Sequence, residues 1–391
     1  MYFPKEEYEQ RWQQVYDEMK ARGYDAAVIW GRSGGTYDKC GDVLYLSNYY
    51  STTSGQAIDW PGSVATAFSA LLLASGEVPE LHMDMPSYQM DLLATDRVEG
   101  HHNVIQGVSD ALKRRRIEGR VAFVGSDLLP VKYARYLEED TPNISWVPED
   151  TLVESVRQIK SPRELDYYRQ TGEIVSRALN LLIEGLIGGQ TEAEAAAAAG
   201  SEVMRAGGRY HMIPCSHGDA IYYFCRSPLT GYSQERPKPG DLVRGWVYGP
   251  IHQGYWIDPG RTARAGRKGS EAQRRLIEQT AGIVERLIEM IHPGLPVLEA
   301  ARLGERLSQE AGGEKDQASE MFPLFGHGVG LSWQRPVISV EAGSEEVFKA
   351  NMVLGVEAFL AASGVGSAGF EQNIIVHEDK NELLITTPMI W

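Results

Sequence analysis

Apolar and polar positions alternate in two distinct ways along the first 158 residues. Apolar residues recur at helical spacing from Glu6 to Arg22, and a short β-rich apolar run follows from Asp25 to Trp30. Further candidate strands are Val43 to Leu46, Ala67 to Leu73 and Val121 to Val124, with polar or helical stretches between them. Strands that alternate with helices predict a mixed or parallel sheet with helices packed on it.

A domain boundary is predicted near residues 159–165. Ser161, Pro162 and Glu164 form the signature of a capped helix start, and a long amphipathic segment continues to Leu186. The segment from Thr191 to Arg205 begins with the same signature and is rich in alanine. We therefore divide the chain into an N-terminal domain, residues 1–158, and a C-terminal domain, residues 159–391.

The C-terminal domain contains an internal repeat. A shift of about 105 positions aligns residues 182–208 with residues 287–313, including the segments Glu194 to Ala196 and Glu299 to Ala301. Each copy reads as two helices followed by β-rich sequence. This repetition predicts two related α+β halves, and ligands tend to bind in the cleft between such halves.

Strand-like sequence in both halves carries isolated polar residues. Residues 240–248 and 254–262 read as two strands joined by a turn over residues 249–254. Residues 352–357 and 369–376 read as two further strands, and each has one glutamate among apolar neighbours. A buried carboxylate without a partner costs several kcal/mol, so a compensating cation or proton is expected beside these glutamates.

Composition and charge narrow the class of protein. The chain has 391 residues, 43% of them hydrophobic and 23% charged, which is ordinary globular usage. Its net charge of −15 disfavours binding to nucleic acid or to a membrane surface. No secretory signal or membrane-spanning run is visible, and three cysteines without zinc-type spacing indicate a soluble cytoplasmic protein. Residues 31–35 lack the spacing of a dinucleotide-binding loop.

The motifs of the C-terminal domain, taken in order, resemble those of the pita-bread family. They are Gly-Asp-Leu-Val at 240–243, Gly-Tyr-x-x-Asp-x-x-Arg-Thr at 254–262, Gly-His-Gly-x-Gly-Leu at 326–331, and one glutamate on each of the last two strands. The family contains aminopeptidase P, prolidase, methionine aminopeptidase and creatinase. The resemblance implies an α+β fold: a pita-bread domain with internal pseudo-duplication, preceded by a smaller α/β creatinase-like domain. Creatinase-branch relatives are dimers, so we expect a homodimer.

The resemblance also implies a metal site, with one ligand missing. Five residues hold two divalent metals in the metallopeptidases of this family, and four of them fall on Asp258, His327, Glu357 and Glu371. The first aspartate, eleven residues before the second, falls on Val247, which has no lone pair to donate. The ion that uses both aspartates loses its site, whereas the other keeps its four ligands. We therefore predict one divalent metal, Mn²⁺, Fe²⁺ or Zn²⁺.

Each of these positions has a second interpretation. Asp258 lies in Asp-Pro-Gly, a strong turn sequence, and its carboxylate could cap that turn. His327 could be a core histidine, and Glu357 and Glu371 could face the edge of a sheet. With a metal bound, Glu357 is the expected general base and His327 the other catalytic residue, by analogy with the family.

Residues that contact the substrate are predicted from two features. One is a set of positions where this chain differs from the motifs of its peptide-cleaving relatives, and the other is a group of aromatic residues. Gln334 and Arg335 stand where peptide-cleaving relatives carry a His-Glu pair, and no histidine occurs between 217 and 252. Arg335 is either a carboxylate-binding fork or solvent-facing. Five aromatic residues cluster around these motifs, and each is either a pocket wall or part of the sheet packing: Trp246, Tyr248, Tyr255, Trp256 and Trp333. His252 is either solvent-exposed or a mobile acid/base group.

The sequence thus predicts a hydrolase of a C–N bond, amide or amidine, in a small molecule, and not an efficient proline peptidase. Three alternatives stay open at this point. The first is a metal-independent hydrolase of the creatinase type, and the second is a metal-assisted lyase. The third is a catalytically inactive module that binds peptides. Cys225 could act as a nucleophile, although a packing role is the more common one for such a residue.

Overall fold

The computed structural model describes residues 3–33, 41–51, 59–60, 62–84, 90–224, 231–315 and 317–391. The chain forms two compact units, residues 1–157 and residues 158–391. No helix among the described residues is long and apolar enough to cross a membrane.

The first unit is a mixed sheet with helices. Its strands lie in the order β4-β3-β2-β1-β5-β6, with β1 parallel to β5 and antiparallel to β2, as the sequence predicts for a mixed sheet. The helices are α1 (Lys5–Arg22), α2 (Gly41–Ser47), α3 (Val104–Arg114), α4 (Val131–Asp140) and α5 (Thr151–Arg157). The strands are β1 (Ala26–Arg32), β2 (Phe68–Ala74), β3 (Glu80–Met83), β4 (Val98–Gly100), β5 (Gly119–Val124) and β6 (Ile144–Pro148).

One predicted strand of this unit is wrong. Residues Val43 to Leu46 lie in the helix α2, not in a strand. Val43, Leu46 and Ser47 are buried, and this i, i+3, i+4 spacing places them on one helical face. Ser47 Oγ donates to the carbonyl oxygen of Val43, which closes the turn. A four-residue apolar run is compatible with either structure, and here burial against neighbouring elements decides for the helix.

The second unit contains two helix pairs, each followed by strands, and one additional short helix, α10. Its helices are α6 (Pro162–Ile187), α7 (Glu192–Arg205), α8 (Glu271–Met290), α9 (Val297–Glu310) and α10 (Gln317–Met321). Its strands are β7 (Cys215–His217), β8 (Leu242–Trp246), β9 (Gly249–His252), β10 (Tyr255–Ile257), β11 (Gly260–Arg264), β12 (Gly326–Val329), β13 (Trp333–Val337), β14 (Val353–Ala362), β15 (Gly366–Ile375) and β16 (Glu382–Leu383). The order of elements matches the predicted repeat.

Predicted helix starts in this unit are confirmed. Ser161 Oγ accepts a hydrogen bond from the backbone N–H of Glu164, and the Glu164 carboxylate accepts one from the N–H of Ser161. Thr191 and Glu194 form the same reciprocal pair at the start of α7. Each pair satisfies two backbone donors that the first helical turn leaves without partners.

The two strands predicted over 240–262 are each interrupted. The turn lies at Gln253 and Gly254, both with positive φ, and joins β9 to β10 in a short hairpin. Asp258 and Pro259 separate β10 from β11, and a proline cannot donate to a sheet ladder. The main sheet therefore has the order β13-β12-β14-β15-β11-β8-β7, and β9 and β10 pair apart from it.

Strand alternation gives β14 and β15 two different faces. One face packs in the core with α8 and α9 and carries Leu354, Val356, Phe370 and Ile374. The odd-numbered residues, which include Glu357, point to the opposite face. The helices thus bury one face of the sheet, and the other face receives the polar residues.

Candidate metal centre

A row of residues in register across four strands builds the base of the candidate site. Trp246 on β8 lies opposite Gly260 on β11, Gly260 lies opposite Glu371 on β15, and Glu371 lies opposite Glu357 on β14. Directly opposed residues of antiparallel strands project to the same face. The pairing therefore brings together two glutamates that are 14 positions apart in the sequence.

His327 joins this row because β12 lies directly beside β14. His327 is paired with Gly355 in the ladder, and Gly326 precedes it with a φ of 140°. A Cβ at Gly326 would collide with the carbonyl oxygen of Gly355, so the close approach of the two strands requires a glycine there. Strand packing thus explains the glycine that precedes His327.

Three predicted ligands converge on one point. His327 Nε2 lies 3.4 Å from Asp258 Oδ2 and 3.8 Å from Glu371 Oε1. One ligand atom from each of Asp258, His327 and Glu371 lies within 4.8 Å of the others. Glu357 Oε1 lies 4.0 Å from His327 Nε2, at the side of this group. All four side chains are buried.

Hydrogen bonds orient the ligand atoms. His327 Nδ1 lies 3.1 Å from the carbonyl oxygen of Gly328, and a proton donated there leaves the lone pair on Nε2. Asp258 Oδ1 accepts from Asn373 Nδ2 at 2.8 Å, and Glu371 Oε2 accepts from Trp246 Nε1 at 3.0 Å. The remaining oxygens, Asp258 Oδ2 and Glu371 Oε1, are buried and have no hydrogen-bond partner among the described residues.

The negative charge of the three buried carboxylates favours a bound cation. Burial raises the pKa of Glu357 well above its ordinary value, and the charge of Asp258 raises it further. Burial also raises the pKa of Glu371, and the charges of Asp258 and Glu357 raise it further. Arg261, also fully buried, donates to the backbone carbonyl oxygens of Glu371 and Pro388, and burial lowers its pKa to about 9. Two bare carboxylate oxygens facing an imidazole lone pair fit a divalent metal ion.

Aromatic side chains lie beside the candidate metal ligands. The Trp333 ring lies 4.5 Å from the His327 ring and is 39% exposed, and Tyr248 lies 6.5 Å from Trp333. Trp256 packs 6.4 Å from Tyr248, and Trp246 stacks on Phe359. We call Trp246, Tyr248, Trp256, Trp333 and Phe359 the aromatic collar.

The other residues predicted to contact substrate have partners elsewhere. Tyr255 donates its hydroxyl to Glu164 Oε1 at 3.0 Å and packs against α6. His252 is partly buried with its ring 5.7 Å from that of Tyr167, and burial lowers its pKa. Arg335 Nη1 lies 3.6 Å from Glu346 Oε1. Cys225 lies outside the described residues.

Two contributors to the site were not predicted from the sequence. Asn373 lies two residues after Glu371 on β15, and the period of two places both on the same face. Gly355 lies next to the candidate ligands, as shown by the collision that a Cβ at this position would make with Glu371 Oε1. Strand alternation around Glu371 could have identified Asn373, whereas only the packed structure shows the space that Gly355 leaves.

Comparison with known proteins identifies the family of this chain. Residues 166–378 match the model of metallopeptidase family M24. The chain belongs to metallopeptidase family M24. Residues 11–159 match the creatinase/prolidase N-terminal domain. This M24 member is thus a pita-bread hydrolase acting on C–N bonds, and the predicted family, fold class and enzyme class are confirmed.

Relatives of this M24 protein are distant in sequence. An uncharacterized peptidase of Staphylococcus saprophyticus is 23% identical over 95% of this chain and 98% of its own length. The probable dipeptidase PepE of Mycobacterium tuberculosis is 26% identical over 66% of each chain.

Solved structures share the fold over nearly the whole length. The Xaa-Pro dipeptidase from Bacillus anthracis has a TM-score of 0.76 at 19% identity and covers 98% of this chain and 100% of its own. Dipeptidase PepE from Mycobacterium ulcerans has a TM-score of 0.76 at 20% identity and covers 99% and 98%. At such identities the likeness shows the fold.

Proposed function

We propose that this M24 protein hydrolyses a C–N bond, amide or amidine, in a small molecule and uses one divalent ion. Asp258, His327 and Glu371 hold the ion, and Glu357 completes its surroundings. The observation that carries the proposal is the convergence of two buried, unpartnered carboxylate oxygens on His327 Nε2. A catalytically inactive site has no physical reason to retain buried carboxylates, because burying an unpaired charge costs free energy.

The residues of the site divide the chemical work. A bound ion would polarise the scissile carbonyl or amidine carbon and lower the pKa of a water molecule to about 7. Glu357 lies beside the three converging ligands, where its carboxylate can take the proton of that water and deliver it to the leaving nitrogen. The missing aspartate was expected at Val247, but Trp246 is the residue of this strand that lies on the face of the candidate ligands, and Val247 points to the opposite face. Neither residue supplies a ligand atom, so we assign a single ion.

The aromatic collar supports a compact substrate with a flat or cationic group. Trp333 is partly exposed above His327 and offers a face to such a group, with Tyr248 beside it. Gln334 and Arg335 replace the pair that peptide-cleaving relatives use, so Xaa-Pro dipeptides are expected to be poor substrates. The substrate roles of Arg335, Tyr255 and His252, the boundary at residue 158 and the homodimer stay predictions.

Metal analysis joined to an activity panel tests this proposal. Purified protein should contain about one Mn²⁺, Fe²⁺ or Zn²⁺ per chain. It should hydrolyse at least one member of a panel of dipeptides, simple amides and amidines. Glu357→Gln should abolish hydrolysis, whereas Glu378→Gln, at an exposed glutamate of the same unit, should keep the native rate.

Other outcomes would refute particular parts. Activity that survives exhaustive chelation would contradict the metal and favour the creatinase-type mechanism. An unsaturated product formed without water uptake would indicate a lyase. A complete lack of turnover would favour the binding module, and efficient cleavage of Xaa-Pro dipeptides would contradict the expected substrate preference.

A further inference from the structure

Asp258 and Glu371 each divide their two oxygens between different partners. Asp258 Oδ2 and Glu371 Oε1 face His327 and have no hydrogen-bond partner among the described residues. Asp258 Oδ1 and Glu371 Oε2 accept hydrogen bonds from Asn373 Nδ2 and Trp246 Nε1, at 2.8 and 3.0 Å. Each carboxylate therefore has one oxygen available for an ion and one already bound to a neutral donor.

The indole of Trp246 reaches Glu371 by lying over Gly260, which has no side chain to block it. Gly260 lies between the two residues in the ladder, and a Cβ at Gly260 would collide with the indole ring. Stacking on Phe359, with ring centroids 5.5 Å apart, holds the indole in this position. Trp246 is 2% exposed, so its N–H has no competing contact with solvent.

These hydrogen bonds limit how many ions the site can hold. A carboxylate bridges two ions when it gives one oxygen to each, and an N–H donor on the second oxygen places positive charge where the second ion would be. We propose that Trp246 and Asn373 take the place of a second cation. They restrict the site to one ion. Trp246 lies on the face of the sheet that carries the candidate ligands, and strand alternation turns Val247 to the opposite face, so an acid at position 247 does not reach these oxygens. This inference rests on the proposed function, which supplies the first ion.

Counting bound Mn²⁺ after equilibrium dialysis tests the inference. Asn373→Ala should bind the same number of ions per chain as the native protein, because the indole of Trp246 still occupies Glu371 Oε2. Trp246→Asp combined with Asn373→Ala should bind one more, because both outer oxygens are released and a carboxylate on the same face replaces the indole. Trp256→Asp combined with Asn373→Ala, which removes another buried indole of the aromatic collar, should show no such increase.

The difference in the number of bound ions between each variant and the native protein decides the inference. A second Mn²⁺ in Asn373→Ala alone overturns it, and so does the absence of any increase in Trp246→Asp combined with Asn373→Ala. A native protein that binds none of Mn²⁺, Fe²⁺ and Zn²⁺ would refute the proposed function instead.

A measurement on the native protein avoids reliance on buried substitutions. The chain contains eight tryptophans, and the indole ¹H–¹⁵N signal of Trp246 can be assigned by its loss in Trp246→Phe. Saturation with Zn²⁺ should shift this signal while its hydrogen exchange stays slow, because the bond to Glu371 Oε2 persists beside the ion. Fast exchange on Zn²⁺ binding would show that Glu371 gives both oxygens to metal, and the inference would fall.

Discussion

Replacing Gly355 by alanine should weaken metal binding by about 100-fold without substituting any of the candidate ligands. The new Cβ would overlap Glu371 Oε1, and Asp258 Oδ1 would lie 3.1 Å away. To restore ordinary contact the Glu371 carboxylate must retreat by about 1 Å. Metal–oxygen distances of roughly 2.0–2.2 Å tolerate changes of only about 0.2 Å. The displaced oxygen is therefore lost as a ligand.

The magnitude follows from the coupling between binding and folding. An ion at about 100 times its dissociation constant stabilises the native state by about 2.7 kcal/mol. A loss of affinity of about 100-fold, the upper range for disturbing the support of a metal ligand, leaves about 0.4 kcal/mol at the same ion concentration. The variant should therefore lose about 2.3 kcal/mol of ion-dependent stability, besides any cost of overpacking without the ion.

The assay is urea unfolding with and without Mn²⁺, followed by metal analysis of the dialysed protein. Gly313→Ala is the matched control, because its Cβ would overlap Leu360, whose side chain lies in the core with α8 and α9. This control should keep the full stabilisation by Mn²⁺. Equal stabilisation of Gly355→Ala and native protein would refute the placement of the ion between Glu371 and His327.

Three further predictions concern other parts of the molecule. Glu80, whose pKa is lowered to about 2 by His82 and by arginines that include Arg114, stabilises the native state above pH 4.5. Glu80→Gln should therefore unfold at lower urea at pH 7, and the difference should shrink as the pH falls from 4.5 toward 2; a constant difference would contradict this. Thr191→Ala removes the acceptor for the N–H of Glu194 and should cost about 1 kcal/mol in urea unfolding, whereas Thr191→Ser should not. Trp333→Ala should lower kcat/KM by about fivefold on the best substrate of the panel while metal content stays native, and an unchanged kcat/KM would remove Trp333 from the substrate pocket.

The sequence by itself determined the elements and the chemical types at the site. Capped starts at Ser161 and Thr191 depend on neighbours three residues away, so local pattern was sufficient to place them. The spacing of Asp258, His327 and the two glutamates also identified the candidate ligands through the family resemblance. The prediction of a strand at Val43–Leu46 is wrong because a short apolar run does not distinguish a strand from a buried helix.

Only the tertiary structure decided which atoms meet. The register of β8, β11 and β15 places Trp246 opposite Glu371 across Gly260, and no local pattern encodes a contact over 125 positions. The same packing directs one oxygen of Asp258 toward His327 and the other toward Asn373. Residue types indicate which atoms can bind a metal. Strand register and the space left by glycines decide which of those atoms remain available to bind it.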